Sequence, residues 1–283
     1  MRARSLLHPH PAYVWRPSQI GRRLAVGAPG GRRTVVLPWG AEIEVDTAES
    51  VGSGIARLGV HEAAVTEVMW RLADPTDLAL DVGANIGYFT SLLSSRVARV
   101  VALEAHPLLA ERLSAHAERW PGTIEVLPVA ASARAGLARL GEPEGFARNA
   151  GTASIGLATA RSFEVETVAL DEVVGSAPVG ICKLDVEGHE PLVLDGFRDA
   201  LAEGRVRDLF FEEHLPLPTP VSTRLTDHGY RVFSLRARLD RVSLGAPDAA
   251  SGDDAPTYLA TLAPERARQR LRGLGWRSLR GRR

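Results

Sequence analysis

Two short stretches of the chain crowd side chains that exchange protons or hold charge. From Lys183 the sequence runs Lys-Leu-Asp-Val-Glu-Gly-His-Glu, so Asp185, Glu187, His189 and Glu190 fall together where an apolar strand runs out. Three acids and a histidine that close are costly to assemble unless a cation, a proton or a substrate hydroxyl shares them. A second group, Glu212-Glu213-His214, follows the next expected strand. Imidazole titrates near neutral pH and suits general-base work on a hydroxyl better than an unperturbed carboxylate. His189 is therefore the first choice of base. Asp185, Glu213 and His214 are the other candidate catalytic groups, and Glu187 and Glu190 are candidate substrate contacts. A helix-capping histidine is the competing reading of His189. Hard divalent cations also take carboxylate oxygens. The spacing D-x-E-G-H-E matches no recognised metal site, so a divalent cation is possible but not expected and no metal ligands are assigned.

A third stretch, Asp81-Val82-Gly83-Ala84-Asn85-Ile86-Gly87, lies between an expected strand and a helix that begins near Tyr88. Its glycines let backbone approach a ligand at a helix N-terminus. Glu104, followed by Ala105, ends the next strand, where a carboxylate can accept from both hydroxyls of a ribose. Asp81, Gly83, Ala84, Asn85, Gly87, Tyr88, Glu104 and Ala105 are thus the candidate cofactor residues. Two nucleoside cofactors compete for them. A pyrophosphate favours G-x-G-x-x-G, whose second glycine clears room for phosphate, and Asn85 stands at that place. Asp81 would repel phosphate but suits the ammonium of S-adenosylmethionine, directly or through water. S-adenosylmethionine is therefore preferred. A ligand-free turn would not need acids at both strand ends.

These groups need a frame that gathers strand ends. Residues 34–38 and 41–45 resemble a hairpin. Residues 61–73 space Ala64, Val65, Val68, Met69 and Leu72 at helical intervals, and Asp74-Pro75 ends that helix. Strands are expected at 78–82, 100–103, 124–129, 181–185, 208–212, 230–234 and 258–262, with helices at 87–95, 108–119, 190–202 and 219–228. An inserted hairpin is expected within 135–168. Strands alternating with helices imply a mostly parallel, doubly wound sheet that binds ligands at the carboxyl ends of its strands.

DVGANIGYF at 81–89, ALEAHP at 102–107, TVALDEV at 167–173 and KLDVEGHE at 183–190 together resemble the FkbM family of S-adenosylmethionine-dependent methyltransferases. The resemblance runs from about Val36 to Leu262. Within it, Gly59-Val60-His61-Glu62 stands where the family often shows G-x-Y-E. The resemblance implies an α/β fold with a Rossmann-like seven-stranded class I methyltransferase sheet, mostly parallel with one antiparallel strand and helices on both faces. It also implies O-methylation of a hydroxyl on a sugar or natural-product acceptor. His61 and His106 depart from the family's usual residues. A nicotinamide-dependent dehydrogenase and a non-catalytic methyltransferase-fold binding module are the rival readings.

The formal charge is zero over 283 residues, with 34 basic and 34 acidic side chains. The sum hides three unlike regions. Residues 1–33 hold seven arginines and no acid, residues 265–283 hold eight arginines and Glu265, and the interval keeps 19 basic against 33 acidic residues. The expected layout is a basic irregular arm (1–33), a hairpin and helix (34–75), the methyltransferase domain (76–263) and an arginine-rich tail (264–283) too glycine-broken for the core. The ends could touch an anionic surface, whereas the neutral balance makes nucleic acid an unlikely partner. Lys183 is the only lysine. A lone Cys182 forms no internal disulfide, and no apolar run reaches the ~20 residues of a membrane span. A cytoplasmic enzyme with a small-molecule acceptor is expected.

Overall fold

The computed structural model describes residues 30–146, 150–247 and 257–280. The expected arm up to residue 29, the loop at 248–256 and the last three residues lie outside them. In chain order the elements begin with β1 (Arg32–Val36), β2 (Glu42–Asp46), α1 (Ser50–Leu58), α2 (Ala63–Leu72), β3 (Leu78–Val82), α3 (Tyr88–Ser94), β4 (Arg99–Leu103), α4 (Pro107–Ala117) and β5 (Thr123–Leu127). An insertion follows with β6 (Ala130–Ala131), β7 (Gly136–Gly141), β8 (Ser154–Ile155) and β9 (Ser162–Val168). The chain continues through α5 (Leu170–Val174), β10 (Val179–Leu184), α6 (Glu190–Asp195), α7 (Arg198–Ala202), β11 (Val206–Glu212) and α8 (Pro220–Asp227). It closes with β12 (Arg231–Ala237), β13 (Val242–Gly245), β14 (Thr257–Thr261) and α9 (Pro264–Leu271).

The central strands are apolar on both faces, as parallel strands covered by helices must be. In β10, Ile181 packs on one side with Phe210 and Leu259, while Cys182 and Leu184 pack on the other with Phe211. The main sheet runs β13-β12-β14-β11-β10-β3-β4-β5. Strands β11, β10, β3, β4 and β5 are parallel, β14 lies antiparallel between β11 and β12, and β13 pairs antiparallel with β12. The α/β Rossmann-like sheet is thus present with eight strands instead of seven, and two of them are reversed. The extra edge strand was hidden because β12 runs on past residue 234 through arginines into a tight turn, closed by Arg238 N–H donating to Arg241.

Other differences have local causes. Residues 130–168 form a four-stranded sheet, β6-β9-β7-β8, in place of a hairpin. The helix expected over 190–202 is two, because Gly196 packs on the Ser132 carbonyl and the Asp171 carboxylate accepts from the Asp199 and Ala200 amides, both at 2.9 Å, to start α7. Helix α1 was missed because Gly52 and Gly54 interrupt its pattern. Gly52 is required there, since a Cβ would run into the Asp46 carbonyl.

The C-terminal segment, expected outside the core, is part of it. Trp276 and Leu279 are fully buried. Glu67 of α2, also fully buried, accepts from Arg71 Nε at 2.5 Å, from the Arg277 and Ser278 amides at 2.8 Å each, and from Ser278 Oγ at 2.6 Å. Arg71 donates in turn to the carbonyls of Gly273 and Gly275. Among the described residues no helix is long and apolar enough to cross a membrane. Breaking a buried ion pair from one side leaves an uncompensated charge and costs about 3–5 kcal/mol. Glu67→Ala should therefore lower unfolding free energy in urea by about that amount, and a loss below about 1 kcal/mol would show that the segment is a passenger.

Candidate active site

Strands β3 and β10 are neighbours whose onward connections diverge, β3 toward β4 and β10 toward β11. Such a point leaves a crevice at the carboxyl ends. A cavity of about 310 Å³ occupies it. The loop after β3 forms one wall, Leu140, Ala153 and Ile155 of the insertion a second, and His61 and Glu62 a third.

The loop is held by its own backbone. The Gly83 and Ala84 amides donate to Leu103 O, the Asn85 amide to Glu104 Oε2 at 2.7 Å, the Ile86 amide to Asn85 Oδ1 and the Gly87 amide to Ala84 O. Gly83 sits at φ +79 against the backbone of Asp185, where a Cβ would collide with the Asp185 carbonyl. Asp81 lies behind the loop and outside the cavity lining. Its Oδ2 accepts from Thr90 Oγ1 at 2.6 Å, and its buried Oδ1 has no hydrogen-bond partner. Glu104 lines the cavity, accepts the Asn85 and His106 amides, and is pushed up to about 7 by burial. Ala105 and Tyr88 line it too, and the Tyr88 hydroxyl meets Thr66 Oγ1 at 3.1 Å.

Facing this wall is a cluster of acids around one buried ammonium. Lys183 Nζ donates to Asp185 Oδ2 at 2.6 Å and lies 4.9 Å from the Phe89 ring centroid. The parallel register pairs Leu184 with Phe211, which brings Asp185 level with Glu212 on one face of the sheet, where both line the cavity. Burial works to raise Asp185, but the charge and hydrogen bond of Lys183 outweigh it and hold the carboxyl below its usual range. Glu212 is pushed up to about 8, first by burial and then by repulsion from Asp185. Glu187, at φ +52 on the rim, is pushed up to about 7 by burial and by the charges of Asp185 and Glu190.

Several expected residues lie elsewhere. His189 precedes α6 outside the cavity lining, its Nε2 is 3.0 Å from Ser132 Oγ, and burial lowers its pKa. Glu190 also faces away from the cavity, and its Oε1 accepts the Val186 and Gly188 amides. It braces the loop that carries Asp185 and Glu187. Glu213 accepts the Leu215 amide at 3.0 Å. His214 is 69% exposed, with Nε2 3.3 Å from Glu212 Oε1. The cavity lining adds His61, Glu62, Lys183 and Glu212, none of them singled out for a role from sequence. The signal for Glu212 was strand alternation, because it shares a side with buried Phe210. Among the described residues no group of three His, Cys, Asp or Glu is arranged to hold a metal ion.

This constellation sits in a recognisable class. Residues 81–232, more than half of the chain, match the family described as Methyltransferase FkbM domain. The chain belongs to that family. Among curated proteins it is similar to the hexuronic acid methyltransferase AglP of Haloferax volcanii, 35% identical over 150 residues, covering 52% of this chain and 56% of that protein. The chain thus spans about half the length of that relative. A crystal structure of methyltransferase FkbM from Methylobacillus flagellatus KT aligns at 15% identity and a TM-score of 0.42, covering 74% of this chain and 60% of that one.

Gly83 and Gly145 share nearly the same backbone angle, φ +79 and +82, but a Cβ on Gly145 meets nothing within 4 Å. An alanine in the left-handed region costs about 1–2 kcal/mol, and overpacking adds about 1–3 kcal/mol. Gly83→Ala should therefore lower the urea midpoint distinctly more than Gly145→Ala. Equal losses would mean that the loop does not depend on its contact with Asp185.

Proposed function

We propose that the chain is an S-adenosylmethionine-dependent O-methyltransferase whose acceptor is a hydroxyl of a sugar or similar small polyol. The observation that carries the cofactor reading is the state of the loop. All five amides from Gly83 to Gly87 are spent inside the fold, and the polar group facing them is the carboxylate of Glu104. A pyrophosphate needs open amides at a helix N-terminus. It would find none in this loop and would meet a negative charge, so the dehydrogenase reading loses its support.

The residues fit S-adenosylmethionine. A carboxylate offers about four acceptor positions, and Glu104 uses two on backbone amides, which leaves room for a ribose diol. The acidic cleft suits a ligand that carries a sulfonium and an ammonium and no phosphate. Asp81 stands behind the wall with one unpartnered buried oxygen and adds its charge to the acidic cleft. Bound there, the cofactor supplies a methyl group on positively charged sulfur. The protein aligns acceptor oxygen, methyl carbon and sulfur, which can supply on the order of 7–11 kcal/mol, and it excludes water with the aromatic side chains of Tyr88 and Phe89. A sugar acceptor is supported by the relative whose name is hexuronic acid methyltransferase. Catalytic turnover separates this reading from a binding module. Arg266 and Arg270 pair with Asp74.

Titration calorimetry with S-adenosylmethionine and with NAD tests the proposal. Heat is expected from the first alone. Hydroxyls donated to Glu104 stabilise its ionised form, so affinity should rise with pH up to about 7 and level off above it. Glu104→Ala should weaken binding by roughly 10- to 100-fold, as loss of hydrogen bonds to a charged group implies. Binding of NAD with no heat from S-adenosylmethionine would overturn the reading.

A further inference from the structure

We propose that the proton of the acceptor hydroxyl is taken by Glu212, held in a carboxyl pair with Asp185, and leaves to solvent through His214. The proposal rests on the O-methyltransferase reading and names the group that serves its acceptor half. It follows first from the sheet. Lys183, Asp185, Phe210 and Glu212 share one face, so the two carboxyls stand side by side at adjacent strand ends, and both line the cavity. Lys183 neutralises only one of them. Its Nζ lies 2.6 Å from Asp185 Oδ2, which keeps Asp185 ionised and makes Glu212 the member that gains and loses the proton. Two neighbouring carboxylates do not both ionise readily, so the pair titrates as a unit.

The other candidates are committed elsewhere. His189 is off the cavity and bonded to Ser132. Glu213 points to the opposite side of the strand and caps Leu215. His214, by contrast, touches Glu212 at 3.3 Å and is 69% exposed. It links to bulk water a carboxyl that is itself 18% exposed. The charged and titratable groups facing Glu212 are Asp185 and Lys183 from β10, Glu62 with its neighbour His61 from the turn before α2, and His214 on its own loop.

In the step itself, the acceptor oxygen bonds to the methyl carbon as the carbon–sulfur bond breaks with its electron pair left on sulfur. The hydroxyl proton passes to a Glu212 oxygen. The sulfonium charge is consumed and one proton is gained, so charge balances once His214 hands that proton to water. With Glu212 pushed up to about 8, ionisation limits the rate at neutral pH, and the rate climbs with pH as the carboxylate form fills.

The test measures methyl transfer from labelled S-adenosylmethionine to methyl glucopyranoside, methyl galactopyranoside and methyl glucuronide across pH 5.5–9.5, as a range chosen around the ~7 optimum for general-base groups. Wild type should show an ascending limb. Glu212→Gln should lose that limb and about 10²- to 10⁴-fold in kcat while still binding S-adenosylmethionine. Glu212→Asp should keep the limb at reduced rate, and cofactor binding shows that each variant is folded. His214→Gln should slow turnover and be rescued by added imidazole. An arm that needs no acceptor compares proton release on S-adenosylmethionine binding in two buffers of different ionisation heat. The cationic ligand should expel a proton from wild type, and less from Glu212→Gln. Equal release, or an intact limb in Glu212→Gln together with its loss in His189→Asn, would overturn the proposal. Failure of wild type to bind S-adenosylmethionine would instead sink the cofactor reading.

Discussion

The site is organised by one buried ammonium among carboxylates. Burial alone would push Lys183 toward the neutral amine, but Asp185, Glu62 and Asp81 more than offset that and hold it charged. The converse matters as much. Asp81 behind the loop, Asp185 at 2.6 Å and Glu62 across the cleft could not be gathered in low dielectric without a cation between them. The chain keeps a single lysine, and it stands at this point. A guanidinium is a planar fork that would reach past these groups, whereas an ammonium is a compact charge that fits among three carboxylates and over a phenyl ring.

From that point the rest of the architecture can be read outward. Adjacent parallel strands place Asp81, Lys183 and Glu212 on one face, and the diverging connections open the space above them. Glu190 fixes the Asp185 loop by taking two of its amides, and Gly83 lets the other loop rest on the same backbone. Helix α2 links this chemistry to the far end of the chain. His61 and Glu62 precede it in the cleft, and Glu67 and Arg71 clamp the segment at 273–278. The neutral total charge thus includes a basic C-terminal region that is bound into the domain, with Arg266 and Arg270 paired to Asp74.

Much of this was legible in the sequence, for identifiable reasons. The alternation of apolar strands and amphipathic helices sets the parallel sheet. A glycine-bearing turn followed by an acid at the next strand end sets one wall of the cavity, because both lie at the same edge whatever the packing. What was not legible depended on register and on long-range partners. Choosing Glu212 over Glu213 needs the face of β11. Recognising Glu190 as a brace and His189 as a histidine bonded to Ser132 needs a loop whose backbone runs at positive φ through Glu187 and Gly188. Dense arginine masked the apolar residues Leu271, Trp276 and Leu279, which pack beside α2 in a segment tied to it across 199 to 211 positions of sequence.

A crystal structure with S-adenosylhomocysteine bound is the most direct test of the account. The ribose hydroxyls should lie within hydrogen-bond distance of Glu104, with the sulfur turned toward Asp185 and Glu212. A ligand bound away from Glu104, or a sulfur facing away from the carboxyl pair, would contradict it.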